Sequence, residues 1–288
     1  MGQNIMDKIS GFVRLMRPVN CVMMGFAVFV GALLASPEFT VAEWGKVVYG
    51  FFTGFTLTAA SMALNDYYDR QIDAVNEPKR PIPSGSVSVR EALVFVLVFS
   101  VAGFVFAYLT SIICLIAAVI AWLILVAYVT VGKRTGLPGN FLVSATVAIP
   151  FVYGSFVVTG LAQLNVLLFA AMAFLSNTGR EVTKGIVDVK GDSAEGVKTI
   201  AVRYGERNGA VVAAVFYVSA VLLTPLPLIL DLVSVWFVPF VLVTDVGLVT
   251  SSALLLRDYS RENARKIKKL ILLWFLIGLL AYIFGAFG

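Results

Sequence analysis

The sequence contains no histidine, only two cysteines and few charged residues. Without histidine, the chain has no imidazole to ligate a metal, to act as a general base or to complete a catalytic triad. Cys21 and Cys114 both lie in apolar stretches and are typical of small core residues, so they indicate neither a disulfide nor a cysteine metal site.

Charge is scarce along all 288 residues. Only 14% of the residues are charged, 59% are hydrophobic, and the mean hydropathy is +0.92. Soluble domains contain about 25% charged residues. Apolar runs near 20 residues match the ~30 Å hydrocarbon core of a bilayer. The composition therefore excludes an ordinary soluble domain. Residues 1–18 are too polar for a cleaved signal peptide, so we expect the first apolar window to direct insertion.

Apolar windows predict nine membrane-spanning helices. Their apolar character is continuous instead of alternating, which favours helices over a barrel. The windows cover residues 17–36, 45–65, 89–108, 111–131, 139–158, 163–179, 209–229, 234–256 and 270–287. We therefore predict an all-α, polytopic membrane bundle that forms a single domain over residues 1–288.

The basic residues fall almost entirely on one side of this bundle. With nine spans, 21 of the 22 lysines and arginines lie on one side, and only Lys46 lies on the other. The positive-inside rule makes the basic side cytoplasmic. The N-terminus and two long loops, residues 65–88 and 180–207, are therefore predicted to be cytoplasmic, in a multi-pass protein of the cell membrane. The high pI of 9.2 needs no nucleic-acid partner.

Two local patterns mark helix positions near the first and third windows. Residues 1–17 form an amphipathic segment that we expect to lie on the cytoplasmic membrane surface. Ser88 and Glu91 have capping-box spacing and predict the start of the third membrane helix. The apolar residues of the first segment recur at helical spacing: Ile5, Ile9, Phe12, Val13 and Met16.

The first group of chemistry-bearing residues follows the second window, in NDYYDRQID. Asn65, Asp69 and Asp73 are four residues apart with no glycine or proline between them, so we expect one helix to carry all three. Residues four apart share a helix face. Oxygen side chains on one face repel without a cation, and hard oxygen ligands favour Mg²⁺. Asp66 lies about 100° round the helix and is a weaker candidate.

The second group follows the sixth window, in REVTKGIVDVKGD. Arg180, Lys184, Asp188 and Asp192 are spaced at four residues. Carboxylates for a metal and cations for phosphate oxygens are what a magnesium-bridged diphosphate requires. Glycines at 185 and 191 loosen the helix here. Charged helix ends are usually only solvated, but acids repeated after two spans favour a site.

One further acid lies inside a predicted span. Asp245 falls within the window 234–256. Buried acids in membranes often mark function. Alternatively, Asp245 is protonated and hydrogen-bonded to a neighbouring helix, and the sequence leaves both interpretations open.

These sequence motifs resemble those of the UbiA superfamily of intramembrane prenyltransferases. The resemblance covers nearly the whole chain, and the two acidic motifs at this separation are its most specific part. It rests on Asn65-x3-Asp69-x3-Asp73, followed by Lys79-Arg80-Pro81-x-Pro83-x-Gly85, on Asp188-x3-Asp192, preceded by Arg180-Glu181 and Lys184, and on Arg17-Pro18-x-Asn20.

The resemblance implies nine helices around a central cavity with a cytoplasmic cap. It implies two Mg²⁺ ions, with Mn²⁺ able to substitute, held by Asn65, Asp69, Asp73, Asp188 and Asp192. The catalytic set would be Asp69, Asp73, Asp188, Asp192 and Lys184. Further assignments are diphosphate binding by Lys184, Lys198, Lys133, Arg134 and Arg80, acceptor binding by Arg17, Asn20 and Lys79, and cation stabilisation or tail binding by Tyr128, Phe51 and Phe55.

The implied reaction is prenyl transfer through an allylic carbocation. The words NEPKRPIPSG and REVTKGIVDVKGD most resemble the archaeal branch, which joins geranylgeranyl diphosphate to geranylgeranylglyceryl phosphate. The partners would be these two substrates and membrane lipids, with no obligate protein partner. Three alternatives stay open: an aromatic polyprenyltransferase acting on 4-hydroxybenzoate for quinone biosynthesis, a cation-coupled transporter, and a non-catalytic lipid-binding scaffold. Acids clustered at one membrane face, and not at the midplane, argue against a transporter.

Overall fold

The computed structural model describes residues 5–38 and 41–287. Within these residues the secondary structure is entirely helical, which confirms the all-α prediction. The α-helices are α1 Ile5–Met16, α2 Pro18–Ala35, α3 Val41–Asn76, α4 Val89–Thr110, α5 Ile112–Thr130, α6 Leu137–Thr159, α7 Leu164–Val187, α8 Val189–Ala194, α9 Ile200–Tyr204, α10 Glu206–Leu223, α11 Leu226–Ile229, α12 Phe237–Arg257 and α13 Arg261–Ala286, with one 3₁₀ turn at Gly132–Arg134.

The described residues include eight segments long and apolar enough to cross a membrane. They comprise α2, α3, α4, α5, α6, the segment Glu206–Ile229, α12 and α13. The predicted window 163–179 lies on α7, which is not among the eight. Its last turns carry Arg180, Glu181 and Lys184, which lower its hydropathy. The chain is an integral, multi-pass membrane protein, and length and composition support eight of the nine predicted spans.

Serine caps separate the helices where the apolar windows nearly merge. The Ser111 N–H donates to Ala107 O at the end of α4, and its side chain accepts from Cys114 N at the start of α5. One residue therefore ends one helix and begins the next. The predicted capping box is also confirmed, because the Ser88 and Glu91 side chains each accept the other residue's backbone N–H.

Helix α1 is amphipathic and lies against α3 and α4. Phe12 stacks on Phe95 with ring centroids 5.8 Å apart, while Ile9 and Val13 are exposed. The chain then turns sharply at Arg17, which adopts a left-handed conformation with φ 52° between α1 and α2. The predicted helix is confirmed from Ile5 onward, and residues 1–4 lie outside the described part.

Two glycines allow α2 and α6 to touch backbone to backbone. A Cβ built on Gly31 would lie 2.1 Å from Phe151 O, and one on Gly154 would lie 2.1 Å from Val28 O. Close helix contacts in membranes depend on such small residues, since packing must replace the hydrophobic driving force. This contact joins the α2–α6 part of the bundle into one unit.

We expect Gly154→Ala to destabilise the protein by about 1–3 kcal/mol, because the added methyl group overpacks a backbone contact. The measurement is the thermal unfolding midpoint in detergent. Gly45→Ala is the matched control, since a Cβ at Gly45 meets nothing within 4 Å. In a helix that change favours stability by up to about 1 kcal/mol. Equal midpoints for the two variants would contradict the close contact.

Candidate active site

The first acidic motif lies on the continuous helix α3, as predicted. Asn65 Nδ2 donates to Asp69 Oδ2 at 2.9 Å, which places these two side chains on one face. Lys133 Nζ, from the turn after α5, lies 2.6 Å from the same carboxylate oxygen. Asp69 is therefore held between an amide on its own helix and a lysine from a distant segment.

Asp66 and Asp73 form a second group with two arginines. Asp66 is 2% exposed, and its Oδ1 lies 2.5 Å from Arg17 and 3.6 Å from Arg80. Arg80 also lies 2.6 Å from Asp73 Oδ2. Asp66, a weaker metal candidate on sequence grounds, thus joins the start of α2 to α3 and to the loop that carries Arg80. One feature of the sequence could have indicated this structural role: Asp66 does not lie on the helix face that Asn65 and Asp69 share.

The second motif is divided between two helices. Helix α7 ends at Val187, Asp188 connects it to α8, and Asp192 lies on α8 with its N–H bonded to Asp188 O at 2.9 Å. Gly185, predicted to loosen the helix, instead packs within it, because a Cβ there would lie 3.3 Å from Thr199. The loop before α9 therefore folds over the end of α7.

Glu181 is an acidic residue whose role the sequence did not predict. Its two carboxylate oxygens accept from Arg180 at 3.1 Å and from Lys184 at 3.3 Å. The sequence pattern that could have indicated this role is an acidic residue with a basic residue one position before it and another three positions after it. Glu181 thereby positions Lys184, a predicted diphosphate ligand.

The turn after α5 brings the two motifs together. Tyr128, near the end of α5, interacts electrostatically with Asp69 of the first motif and with Lys184 of the second. Beyond Lys133, the Arg134 carbonyl accepts from Lys198 N at 3.2 Å. We call this part of the molecule, where α3, α5 and α7 end, the charged end. It contains both motifs and the predicted phosphate ligands Lys133, Arg134, Lys184 and Lys198.

The two motifs differ in how their charges are compensated. Asp66, Asp69 and Asp73 each bind a lysine or arginine. Asp188 and Asp192 form no side-chain hydrogen bond or ion pair to any residue in 5–38 or 41–287. Burial, and then the neighbouring Asp188, raise the pKa of Asp192 to about 6. The second motif therefore has less charge compensation than the first: nearby Lys184 partly offsets the negative charge of Asp192, but without forming an ion pair to it.

The oxygen donors fit Mg²⁺ bound together with a diphosphate. Among the described residues, no three acidic or cysteine side chains are grouped closely enough to hold a metal on their own. Magnesium typically binds through one or two protein carboxylates and completes its coordination with water and substrate phosphates. The residues at the charged end therefore fit a shared metal–diphosphate site better than a metal site formed by protein alone.

Two apolar cavities lie below the charged end. Cavity A, about 290 Å³, lies between α2, α3, α5 and α6, and begins at Asn20 and Met62. Cavity B, about 410 Å³, lies between α6, α7, α10, α12 and α13. Met23 and Val147 line both cavities. The rings of Phe51 and Phe55 stack on each other with centroids 6.4 Å apart. Neither ring is in the lining of cavity A, to which α3 contributes the nearby residues Thr53, Gly54, Leu57 and Thr58.

A basic pocket of about 280 Å³ lies beside the first motif. Its lining includes four cationic side chains and two acids: Arg14, Arg17, Lys79, Arg80, Asp66 and Glu77. Of the predicted acceptor ligands, Arg17 and Lys79 line this pocket, whereas Asn20 lines cavity A and contacts Met62 Sδ at 3.7 Å. The pocket and cavity A are thus adjacent, joined by the first turn of α2.

Asp245 links two membrane helices. Thr224, just after α10, donates to Asp245 Oδ2 at 2.7 Å, and Asp245 Oδ1 is buried without a partner among the described residues. The contact agrees with the packing interpretation of this acid.

Comparisons with known proteins agree along nearly the whole chain. The profile of the UbiA prenyltransferase family matches residues 24–284. The digeranylgeranylglyceryl phosphate synthase of Archaeoglobus fulgidus is 37% identical over 277 residues, covering 95% of this chain and 94% of that protein. A solved digeranylgeranylglyceryl phosphate synthase has a TM-score of 0.87 at 31% identity, covering 97% and 98% of the two chains. A UbiA homologue from Archaeoglobus fulgidus bound to GPP and Mg²⁺ shares the fold, with a TM-score of 0.66 at 17% identity, covering 94% of this chain and 99% of that chain.

We expect cation binding to weaken as the pH falls through about 6, because Asp192 must be ionised to bind a cation and its pKa is near 6. One proton taken up weakens binding by up to about tenfold per pH unit. The measurement is calorimetric titration with Mg²⁺ and inorganic pyrophosphate between pH 5 and 7.5.

The matched controls are Asp192→Asn and Glu195→Gln. Pyrophosphate titrates in every sample, so only a difference between proteins reports on Asp192. Glu195→Gln should keep the steep wild-type profile with a small displacement to lower pH, because Glu195 contributes slightly to the raised pKa of Asp192, and Asp192→Asn should have a shallower profile. Parallel profiles for the wild type and Asp192→Asn would contradict the assignment.

Proposed function

This chain belongs to the UbiA prenyltransferase family, and from that premise we propose that it transfers a geranylgeranyl group from geranylgeranyl diphosphate to geranylgeranylglyceryl phosphate. The observation that carries this proposal is the grouping of both acidic motifs at the charged end, above two apolar cavities, with a basic pocket beside the first motif. A second phosphate site is what a phosphorylated lipid acceptor requires. Relatives named digeranylgeranylglyceryl phosphate synthase align over nearly the full length, which supports the same acceptor.

In this proposal, two Mg²⁺ ions, replaceable by Mn²⁺, are held by the predicted oxygen ligands. These ligands are Asn65, Asp69, Asp73, Asp188 and Asp192. The oxygen-only donor set supports this assignment, and a fold neighbour binds GPP with Mg²⁺. When bound, the metal supplies Lewis-acid stabilisation of the charge on the leaving diphosphate.

The basic residues of the charged end bind the diphosphate oxygens. Lys133 lies 2.6 Å from Asp69, so its ammonium group would also be placed to bind a phosphate oxygen beside this carboxylate. Lys184 is positioned by Glu181, and Arg134 and Lys198 lie on the adjoining segments. Preorganised cations are effective here because charge develops on the leaving group in the transition state.

The bond changes follow from this placement. The allylic C–O bond breaks and its electron pair leaves with the diphosphate, which produces an allylic cation. The acceptor hydroxyl oxygen then attacks, and its proton passes to the departing diphosphate or to an aspartate. Apolar cavities exclude the water that would otherwise capture the cation. Tyr128 lies near both motifs, and its ring face suits a developing cation. Phe51 and Phe55 stay predicted contributors to this role.

The basic pocket is proposed to bind the acceptor phosphate. Arg17 and Lys79 line the pocket, and Arg80 is shared between the pocket and Asp73. Asn20 lies at the junction with cavity A, where the glycerol part of the acceptor would lie. The acceptor tail would then descend into cavity A.

We propose that α7 is the ninth membrane helix and that the charged end is cytoplasmic. Asn165, at the start of α7, donates to Leu34 O at the far end of α2. The end of α7 carries Lys184 beside Tyr128 at the charged end. This span of contacts supports a full crossing, and the excess of lysine and arginine supports the cytoplasmic assignment in the cell membrane.

We expect EDTA to abolish prenyl transfer and Mg²⁺ to restore it. Asp188→Ala and Asp192→Ala should each lower turnover by about 10²-fold or more with an unchanged unfolding midpoint, since neither side chain forms an ion pair with a described residue. Asp69→Ala and Asp73→Ala should also inactivate, with some loss of stability from the unpaired Lys133 and Arg80. The measurement is transfer of a labelled prenyl group in membranes, with thermal unfolding in parallel.

The control is Glu195→Ala, which removes an exposed acid outside the spacing of the motif and should keep wild-type turnover. Equal effects of Asp188→Ala and Glu195→Ala would contradict the second motif.

We expect geranylgeranylglyceryl phosphate to outcompete 4-hydroxybenzoate by at least tenfold when both are offered with one labelled geranylgeranyl diphosphate, because a dianionic phosphate makes stronger contacts with the basic pocket than a carboxylate. The measurement is the distribution of label between the two products. Lys79→Ala should lower the phosphate acceptor's kcat/KM more than that of the donor. Preferential labelling of the aromatic ring would instead establish the aromatic alternative.

A further inference from the structure

Cavity B is closed at the end away from the active site by a floor of four aromatic rings. Phe151 meets Phe169 with centroids 4.7 Å apart, Phe169 meets Tyr282 at 4.7 Å, and Tyr282 meets Phe237 at 5.1 Å. All three contacts are edge-on, at 81°, 64° and 82°. Such interlocked rings resist displacement, because the two central rings, Phe169 and Tyr282, each contact two others. We call these four residues the aromatic floor.

A separate polar cavity lies on the other side of this floor. It has a volume of about 310 Å³, and its lining includes Asn165, Asp231 and Ser234. Tyr282 lines both this polar cavity and cavity B. The Tyr282 side chain is 3% exposed, and its hydroxyl is buried without a partner among the described residues. Tyr282 is therefore the wall shared by an apolar and a polar space.

The depth of cavity B matches a long isoprenoid. It follows α7 from Ser176, one turn below Arg180, to Phe169 in the floor. Lys184 and Phe169 are fifteen residues apart on this helix, roughly 22 Å at 1.5 Å per residue. An extended C20 chain is of similar length, so a diphosphate held at Lys184 would place the end of such a chain near the floor.

The choice of cavity for the donor follows from which phosphate site lies above each cavity. Cavity B descends along α7, the helix that carries Lys184. Cavity A begins at Asn20 and Met62, next to Arg17 of the basic pocket. A donor with its diphosphate at the two motifs and an acceptor with its phosphate in the basic pocket can thus occupy different cavities, meeting where Met23 and Val147 line both.

We propose that cavity B receives the prenyl chain of the diphosphate donor and that the aromatic floor, with Tyr282 as the shared wall, sets the longest chain accepted. The proposal rests on the prenyl-transfer function above. It adds a specificity element that lies far from the reacting atoms. A chain longer than C20 that continued in the direction of α7 would have to displace interlocked rings or enter a polar space, and both are unfavourable.

The test measures kcat/KM for C15, C20, C25 and C30 diphosphate donors with one fixed acceptor. Tyr282→Ala should join cavity B to the polar cavity and raise the C25-to-C20 ratio by about tenfold or more. Tyr282→Phe keeps the ring and removes only the unpartnered hydroxyl, so it should keep the wild-type length profile. Phe284→Ala is the matched control, because Phe284 is on the same helix but 46% exposed and outside cavity B.

Two further variants keep the test decisive if Tyr282→Ala does not fold. Phe169→Leu lowers the floor from the side of α7 and should shift the profile toward longer donors. Ala173→Leu, between Ser176 and Phe169 in the lining of cavity B, should shift it toward C15. An unchanged donor profile in all folded variants would overturn the proposal.

A second series exchanges the roles, with a C20 donor and acceptors of different tail length. The cavity B variants should leave the acceptor profile unchanged. A shift in acceptor profile alone would mean that cavity B holds the acceptor, and would overturn the donor assignment. Failure of the proposed function would be seen separately, as a wild-type enzyme that does not prenylate the glycerol phosphate acceptor, because donor length can be measured with any acceptor the enzyme uses.

Discussion

The site depends above all on the burial of one carboxylate, Asp66, at the end of a membrane helix. A buried charge is tolerated only when it is paired and hydrogen-bonded, and Asp66 is paired with Arg17 and Arg80. Arg17 lies at the left-handed turn between α1 and α2, and Arg80 lies in the proline-interrupted loop. One ion-pair network therefore joins the end of α1, the start of α2 and the loop around the basic pocket. Removal of either partner would leave charge uncompensated in a low-dielectric setting.

The two acidic motifs also differ in how their negative charges are compensated. The acids of the first motif are already neutralised by cations that a diphosphate could attract, as the contact of Lys133 with Asp69 illustrates. Asp188 and Asp192 lack such partners among the described residues, and burial together with mutual repulsion raises the pKa of Asp192. Under the proposed function, a bound metal would add positive charge where the second motif lacks an ion pair, whereas at the first motif it would compete with cations that are already paired.

Local and periodic features could be predicted from the sequence, whereas tertiary partners could not. The continuation of α3 through Asp69, and the Ser88 capping box, follow from spacing and local chemistry. The membrane windows follow from length and hydropathy, although the window on α7 is not among the eight segments that the structure supports, because the end of that helix is polar. The bond of Asp66 to Arg17 spans 49 residues. No pattern in one sequence specifies it, and the same holds for the ring contacts around Tyr282.

The contact between α2 and α6 has a mechanical consequence for the bundle. Gly31 and Gly154 bring these helices together backbone to backbone, so the far half of α2 cannot slide or rotate against α6 without a steric clash. Its other end is held by the ion pair between Arg17 and the buried Asp66. Helix α2 is thus restrained at both ends, by a steric contact at the glycines and by charge at Arg17. Of these two restraints only the charged one can be removed without a backbone clash, so loss of the Arg17 ion pair would free the end of α2 near Asn20 and leave the end near the glycines in place.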